Sequence, residues 1–272
     1  MTGSDSDTGG GPVVPGSGDG SRRTAGPAAG VVFGDRAVYL PEAEAAVIAD
    51  VHVGRDEAST VSLPLGERAD LRDRLDGLLD RFDPETVVVA GDAVHTFGRV
   101  TDRSRRTLDA LRDACEANGA TLELVAGNHD AALASAWDEP VREEYVLGPP
   151  RRRDDGGDGN RDAPRTVVCH GHEPPSTAAD RYVVGHVHPT IEIEGDRRPC
   201  FLRGAGTYRG ADVLVVPAFT RLAPGVAVND AVDGGLDSPL VSDASAMAPT
   251  VYDTDRGDAV RFPPLGEFRG LL

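Results

Sequence analysis

All seven histidines of the 272-residue chain fall in five short segments. These are Asp50-Val51-His52-Val53-Gly54, Gly91-Asp92-Ala93-Val94-His95, Gly127-Asn128-His129-Asp130, His170-Gly171-His172 and Gly185-His186-Val187-His188-Pro189. Four of the histidines crowd into residues 170–188, which alone would read as a self-contained ligand cluster. The other three sit beside carboxylates or an amide, so the five segments read better as one set. Carboxylate, imidazole and amide oxygen are hard-to-borderline ligands that suit manganese, iron or zinc rather than a thiolate site. The set is too large for one ion, and a single carboxylate between imidazole-rich groups can bridge two. Paired ions roughly 3.5–4 Å apart clamp a phosphoryl oxygen and make a water acidic enough to attack phosphorus in line.

Each segment follows a short apolar run. AAVIA (45–49), TVVVA (86–90), TLELVA (121–126), TVVC (166–169) and RYVV (181–184) read as buried strands. Between the first three lie two amphipathic helices. One spans 67–82 with Leu71, Leu75, Leu78, Leu79 and Phe82 on one face; the other spans 103–118 with Leu108, Leu111 and Cys115 inward and Asn118-Gly119 as its stop. A β-α-β-α-β order predicts a parallel sheet, which brings the C-terminal ends of its strands to one edge. The second half reads as strands at TIEI (190–193), PCFL (199–202), DVLVVP (212–217) and GVAVN (225–229), then a hairpin over 250–262. The expected architecture is α/β, with two stacked mixed sheets flanked by helices in four layers. Residues 1–29 and 149–164 are rich in Gly, Pro, Ser, Arg and Asp and read as an acidic disordered tail and a flexible surface loop. They leave one domain over 30–272.

In order and spacing, Asp50-x-His52, Gly91-Asp92, Gly127-Asn128-His129-Asp130, His170 and Gly185-His186-x-His188 resemble the calcineurin-like, dinuclear metallophosphoesterase superfamily. The resemblance covers roughly residues 31–229 and implies a role for each position. One divalent ion would take Asp50, His52 and His188, the other Asn128, His170 and His186, with Asp92 bridging. Manganese is the first expectation, iron or zinc the next. His129 would stand beside the phosphate as electrostatic stabiliser or proton donor, its ring oriented by Asp130. Two histidines keep two readings each. His172 is either a second-shell or substrate contact or a structural residue. His95 either supports the metal shell or substrate, or is a capped surface imidazole; it stands where many phosphatases of the superfamily carry a second acid, with Thr96-Phe97 in place of their Arg-Gly pair. Arg55, Arg99, Arg181, Arg203, Arg209 and Arg221 lie near motif loops and are candidate phosphate contacts, Arg55 first among them.

DxHxG, GDxxH, GNHD, HGH, GHxHP and a late Pro217-Ala218-Phe219 resemble the small archaeal and bacterial phosphoesterases related to double-strand-break repair nucleases and to DNA-ligase-associated phosphoesterases. That likeness implies a phosphodiesterase, with DNA repair as its setting and DNA as substrate. A small-molecule phosphohydrolase acting on nucleotides or cyclic nucleotides, and a non-catalytic metal-binding scaffold, stay beside it. Protein partners are not readable.

Net charge is −17, from 45 acidic and 28 basic residues. Every basic residue is Arg and the acids are spread along the chain, the pattern of adaptation to a salt-rich cytoplasm. In molar salt the Debye length is about 3 Å, so the acidic surface does not exclude a nucleic-acid partner. No run of 18 apolar residues and no signal sequence are seen, so a cytoplasmic protein without a membrane partner is expected. Cys115, Cys169 and Cys200 have no paired spacing and are expected to be reduced and mostly buried.

Overall fold

The computed structural model describes Met1 and residues 30–59, 66–95, 98–148, 164–229 and 236–268. The segments read as tail and surface loop therefore lie outside the described residues, apart from Met1 and Pro164. In chain order the strands are β1 (Val32–Gly34), β2 (Ala37–Leu40), β3 (Ala45–Ile48), β4 (Thr86–Ala90), β5 (Thr121–Val125), β6 (Val141–Arg142), β7 (Glu144–Leu147), β8 (Thr166–Cys169) and β9 (Arg181–Val184). They continue as β10 (Pro189–Ile193), β11 (Asp196–Pro199), β12 (Phe201–Tyr208), β13 (Ala211–Val215), β14 (Val226–Ala227), β15 (Ala248–Asp253) and β16 (Asp258–Arg261). Helix α1 is Glu67–Phe82, α2 is Asp102–Ala117 and the short α3 is Leu265–Phe268.

The first sheet has the order β1-β2-β3-β4-β5-β6, antiparallel at β1, β2 and β3 and parallel from β3 to β6. The second has the order β16-β15-β12-β13-β9-β8-β7, with β8, β9 and β13 parallel at its centre. Mixed sheets stacked face to face are therefore what the chain forms. Alternation along each strand explains the stacking. In β3 and β4, Ala45, Val47, Val88 and Ala90 face the second sheet, where they meet Val168, Val183, Phe201 and Leu214. Ala46, Ile48, Val87 and Val89 face the other way, onto Leu71, Leu75, Leu108 and Leu111 of the two long helices. Strands buried on both faces must be apolar throughout, which is why these runs were legible.

Both long helices lie on one side. Their apolar faces are those expected, and Thr101 caps α2 by accepting the Ser104 amide at 3.0 Å. The outer face of the second sheet is covered differently: Ile191 comes from a three-stranded sheet, β11-β10-β14, Cys200 and Val228 follow its strands β11 and β14, and Leu240 and Met247 come from the segment around residues 236–247. Two expectations change. PCFL is not one strand, because Pro199 closes β11 and Phe201 opens β12 around the buried Cys200. GVAVN shrinks to the two residues of β14. The hairpin β1–β2, and β6, β7 and α3, went unread. All three cysteines are free and buried.

The two sheets are also tied beside the motif edge. Ala49 bridges Ala218 in parallel, and the Phe219 amide donates to the Ala49 carbonyl at 2.7 Å. Arg36 donates to the carbonyls of Ala218 and Thr220 at 2.8 and 3.1 Å, and Arg74 donates to that of Phe219 while lying over its ring. Between the sheets, Phe201 is 1% exposed and its ring centroid lies 4.9 Å from that of Phe33. Truncating Phe201 to Ala should cost about 3–5 kcal/mol in urea unfolding, the usual result of emptying such a site. A loss under about 1 kcal/mol would show that this layer does not hold the sheets together.

Candidate metal centre

The five motif segments follow β3, β4, β5, β8 and β9 and converge on one edge spanning both sheets. Their backbones turn sharply. Asp50, His52, Asp92, His186 and His188 all have left-handed φ values, between 48° and 67°. For a side chain with a Cβ this conformation is costly, so the surrounding structure must impose it. Glycines let the segments close up. A Cβ on Gly91 would overlap the His170 ring, one on Gly127 the Asp92 carboxylate, and one on Gly185 would lie 2.7 Å from Asp50 Oδ2.

Side-chain atoms then meet in two groups. Asp50 Oδ1 lies 3.2 Å from His188 Nε2, which lies 3.3 Å from His52 Nε2. In the second group, His170 Nε2 lies 3.0 Å from Asn128 Oδ1 and 3.2 Å from His186 Nδ1. Asp92 Oδ2 faces both, 3.8 Å from His52 Nε2 and 3.6 Å from His170 Nε2. The His129 amide donates to the other oxygen, Asp92 Oδ1, at 2.9 Å.

The donor set fits cations. His170 Nδ1 donates to the Ala90 carbonyl at 3.1 Å, which leaves Nε2 without a proton in the neutral ring. That bare nitrogen faces the Asn128 oxygen and a carboxylate, so lone pairs converge with too few protons to separate them. Ligand atoms about 2.0–2.2 Å from a shared ion stand roughly 3.0–3.6 Å apart, the spacing seen in each group. The histidines are also kept ready to ligate. Burial pushes His52 down to about 3 and His170 down to about 4, and lowers His186. Burial would lower His188 too, but its hydrogen bond to Asp50 and the charges of Asp50 and Asp92 hold it above the ordinary imidazole value. Asp50, fully buried, is held below the usual carboxylate range by His188, His170 and His52. Burial pushes Asp92 up to about 7, with Asp50 and Asp130 adding to the rise.

His129 and His95 complete the edge. Their rings stack with centroids 5.8 Å apart, and both present an edge to His52. His129 Nδ1 donates to the His95 carbonyl at 3.1 Å, while Nε2 is 3.8 Å from Asp92 Oδ2. The Asp130 carboxylate, expected beside the His129 ring, accepts the backbone amides of Gly127, Ala93 and Val94 at 2.9, 3.2 and 3.0 Å. It therefore ties the loop after β5 to the loop after β4, and the ring is held by a carbonyl instead. His95 stands in the cluster rather than on an isolated surface, with nitrogen atoms close to those of His52 and His129. Arg55 Nε donates to the Leu222 carbonyl at 2.9 Å, and its Nη1 lies 3.4 Å from His95 Nδ1. His172 packs against His170 and His186 at ring distances of 5.1 and 6.0 Å; its Nδ1 is buried with no hydrogen-bond partner among the described residues.

Of the other arginines, Arg181 sits at the far end of β9 and pairs with Glu42 at 2.9 Å, and Arg221 pairs with Asp70 at 3.1 Å. Glu67 was missed. This buried carboxylate, 13 residues beyond Gly54, accepts the amides of Gly54 and Arg55 at 2.9 Å each and that of Asp56 at 3.3 Å. In sequence it is merely an acid in the first turn of a helix, and only its spacing from DVHVG could have drawn notice.

The calcineurin-like phosphoesterase family matches residues 44–215. Among solved structures, the nuclease MPE of Pseudomonas putida is 26% identical with a TM-score of 0.53, over 83% of this chain and 92% of that one. The phosphoesterase Yfce from E. coli is 14% identical with a TM-score of 0.41, over 81% of this chain and 98% of that one. No curated protein matches the chain at a significant level.

Cation uptake should depend on pH through Asp92 and His188. Below about 7 the metal-free Asp92 carboxyl carries a proton that a cation must displace, and the raised His188 adds a second. Calorimetry of the stripped protein should show proton release at pH 6, less at pH 8, and an apparent affinity that climbs by about tenfold per unit or more between them. An affinity flat over that window would contradict a buried, proton-holding Asp92.

Proposed function

Because the chain belongs to the calcineurin-like phosphoesterase family and is thus a metal-dependent phosphoester hydrolase, we propose that it cleaves phosphodiester bonds, with DNA as substrate and DNA repair as its setting. One observation carries the reading: donor groups from five strand ends meet at coordination spacing around a shared carboxylate, with His129 at their side. DNA as substrate is supported by the likeness to a nuclease over most of both chains.

Asp50, His52 and His188 would hold one divalent ion, Asn128, His170 and His186 the other, and Asp92 would be shared between them. Manganese suits this oxygen-and-imidazole set; iron and zinc are the alternatives. When bound, such a pair supplies Lewis-acid charge at a phosphoryl oxygen and a water that ionises near neutral pH. His129 handles the proton at the other end of the reaction. Its Nδ1 proton is committed to the His95 carbonyl, so the ring can donate from Nε2 only when it carries both protons. In that form it would neutralise the leaving oxygen and be left as the neutral ring. Asp130 positions His129 indirectly, by fixing the loop that carries it. Arg55 places a guanidinium at the rim, where a non-bridging phosphate oxygen can be held, and His95 lies between it and His129. His172 backs the rings of His170 and His186. The all-arginine, acid-rich composition supports a salt-rich cytoplasm as the working medium, and a single domain over 30–272 accounts for the described cores.

The manganese-loaded protein should be assayed in high salt against bis-p-nitrophenyl phosphate, p-nitrophenyl phosphate, nucleotides, and single- and double-stranded DNA. Diester and DNA cleavage are expected to dominate; brisk monoester cleavage with no diester cleavage under any metal would overturn the reading. His129→Ala should keep both ions by elemental analysis and lose about 10²–10⁴-fold in turnover. Loss of metal in that variant would show His129 to be a ligand. Asp92→Asn should weaken both sites together, and loss of one ion alone would deny it a bridging place.

A further inference from the structure

A shallow groove of ≈ 650 Å³ runs between the first turns of α1 and α2. Its charged lining is Arg68, Arg72, Arg103 and Arg106 against Glu67 and Asp73. Four guanidiniums and two carboxylates make a basic lining in a chain whose net charge is −17. Two of these cations are already matched: Arg72 holds Asp76 through a hydrogen bond to each carboxylate oxygen, and Arg103 pairs with the buried Asp56. The other two are not. Arg68 donates to the Thr107 hydroxyl at 3.1 Å and makes no ion pair among the described residues. Arg106 is exposed, with neither a hydrogen-bond nor an ion-pair partner among them. In so acidic a protein, unpaired arginines facing each other across a groove need a reason. Arg68 ties α1 to Thr107 of α2, but folding gives Arg106 no partner among the described residues: α2 has Arg103, Arg105 and Arg106 in its first two turns and no basic residue in its last, the reverse of what the helix dipole favours.

The groove is also tied to the loop that follows His52. Glu67 in its lining holds the amides of Gly54 and Arg55, and Arg103 holds Asp56, so it begins where the loop leading away from His52 ends. Arg68 on α1 and Arg106 on α2 both line the groove. A mononucleotide held at the ligand cluster would leave these positions unused.

We propose that this groove holds the sugar–phosphate backbone of a polynucleotide strand beyond the bond being cleaved. Arg106 and Arg68 contact its phosphates directly, and Arg72 and Arg103 flank them. The inference rests on the phosphodiesterase reading and adds where the uncleaved part of the strand lies. Direct guanidinium–phosphate contact also suits a salt-rich medium, since only short-range contacts survive a Debye length of about 3 Å.

The test compares the full-length protein with Arg106→Glu and with the double variant Arg68→Glu/Arg106→Glu. Hydrolysis of bis-p-nitrophenyl phosphate is measured beside cleavage of a single-stranded oligonucleotide longer than the groove, and oligonucleotide binding is followed by fluorescence anisotropy over a salt series. Both variants should cleave the small diester at the wild-type rate. KM for the oligonucleotide should rise about tenfold in the double variant, and the slope of log Kd against log salt should flatten by roughly 1 per lost contact. Arg106→Lys should restore most of the binding. Oligonucleotide KM and salt slope unchanged in both variants would overturn the proposal. So would an equal loss on both substrates by Arg106→Glu, whose side chain supports no other described residue. A wild-type protein that binds the oligonucleotide through these arginines yet cleaves no diester would instead overturn the phosphodiesterase reading.

Discussion

Seven side chains with lone pairs crowd one sheet edge, with Asp50, His52, Asp92 and His170 buried at its base, and this crowding sets the terms for the rest of the molecule. Unprotonated nitrogens and oxygens at 3.0–3.3 Å repel unless protons or cations lie among them. Everything nearby works against that repulsion. The His186 amide reaches the Asp50 carboxylate at 3.0 Å, the His129 amide holds Asp92, and the Ala90 carbonyl fixes the His170 tautomer. Asp130 and Glu67, one step further out, spend their oxygens on backbone amides of the ligand loops. The interlayer apolar core then makes the two sheet edges act as one rigid rim.

The backbone bears part of the cost. Among the described residues, five of the ten non-glycine residues with left-handed φ are proposed ligands. Conformations of this kind are destabilising by of order 1–3 kcal/mol each, and they persist where the surroundings over-determine them. Cation binding to the folded form alone would offset this strain by mass action. Gly91, Gly127 and Gly185 belong to the same account, since at each a methyl group would occupy the space of a ligand side chain.

Much of this was legible in the sequence because two signals coincide there. The bounds of β4, β8, β9 and α1 match the residue pattern, since each apolar run stops at a turn residue. The ligand types follow those runs at once, so placing the strands placed the histidines. What escaped had no such coincidence. Val32–Leu40 alternates around Gly34-Asp35 yet carries no chemistry to draw attention. Residues 204–208 extend β12 through a register shift at glycines, where a side-chain pattern is silent. Asp130 shows the limit of adjacency: standing next to His129, its carboxylate points at the backbone of another loop. Left-handed ligands and the reach of Glu67 are properties of tertiary packing, which no local pattern encodes.

The join between Ala49 and Ala218 has a consequence for biosynthesis. Asp50, His52, Asp92 and Asn128 emerge from the ribosome well before His170, His186 and His188, and the segment that fastens the second sheet beside Asp50 comes later still. A nascent chain halted near residue 150 would present four donors on one sheet with no opposing edge, so neither ion would have its full set. With the proposed ligands, loading with metal would follow assembly of both sheet edges, after about four-fifths of the chain has been made.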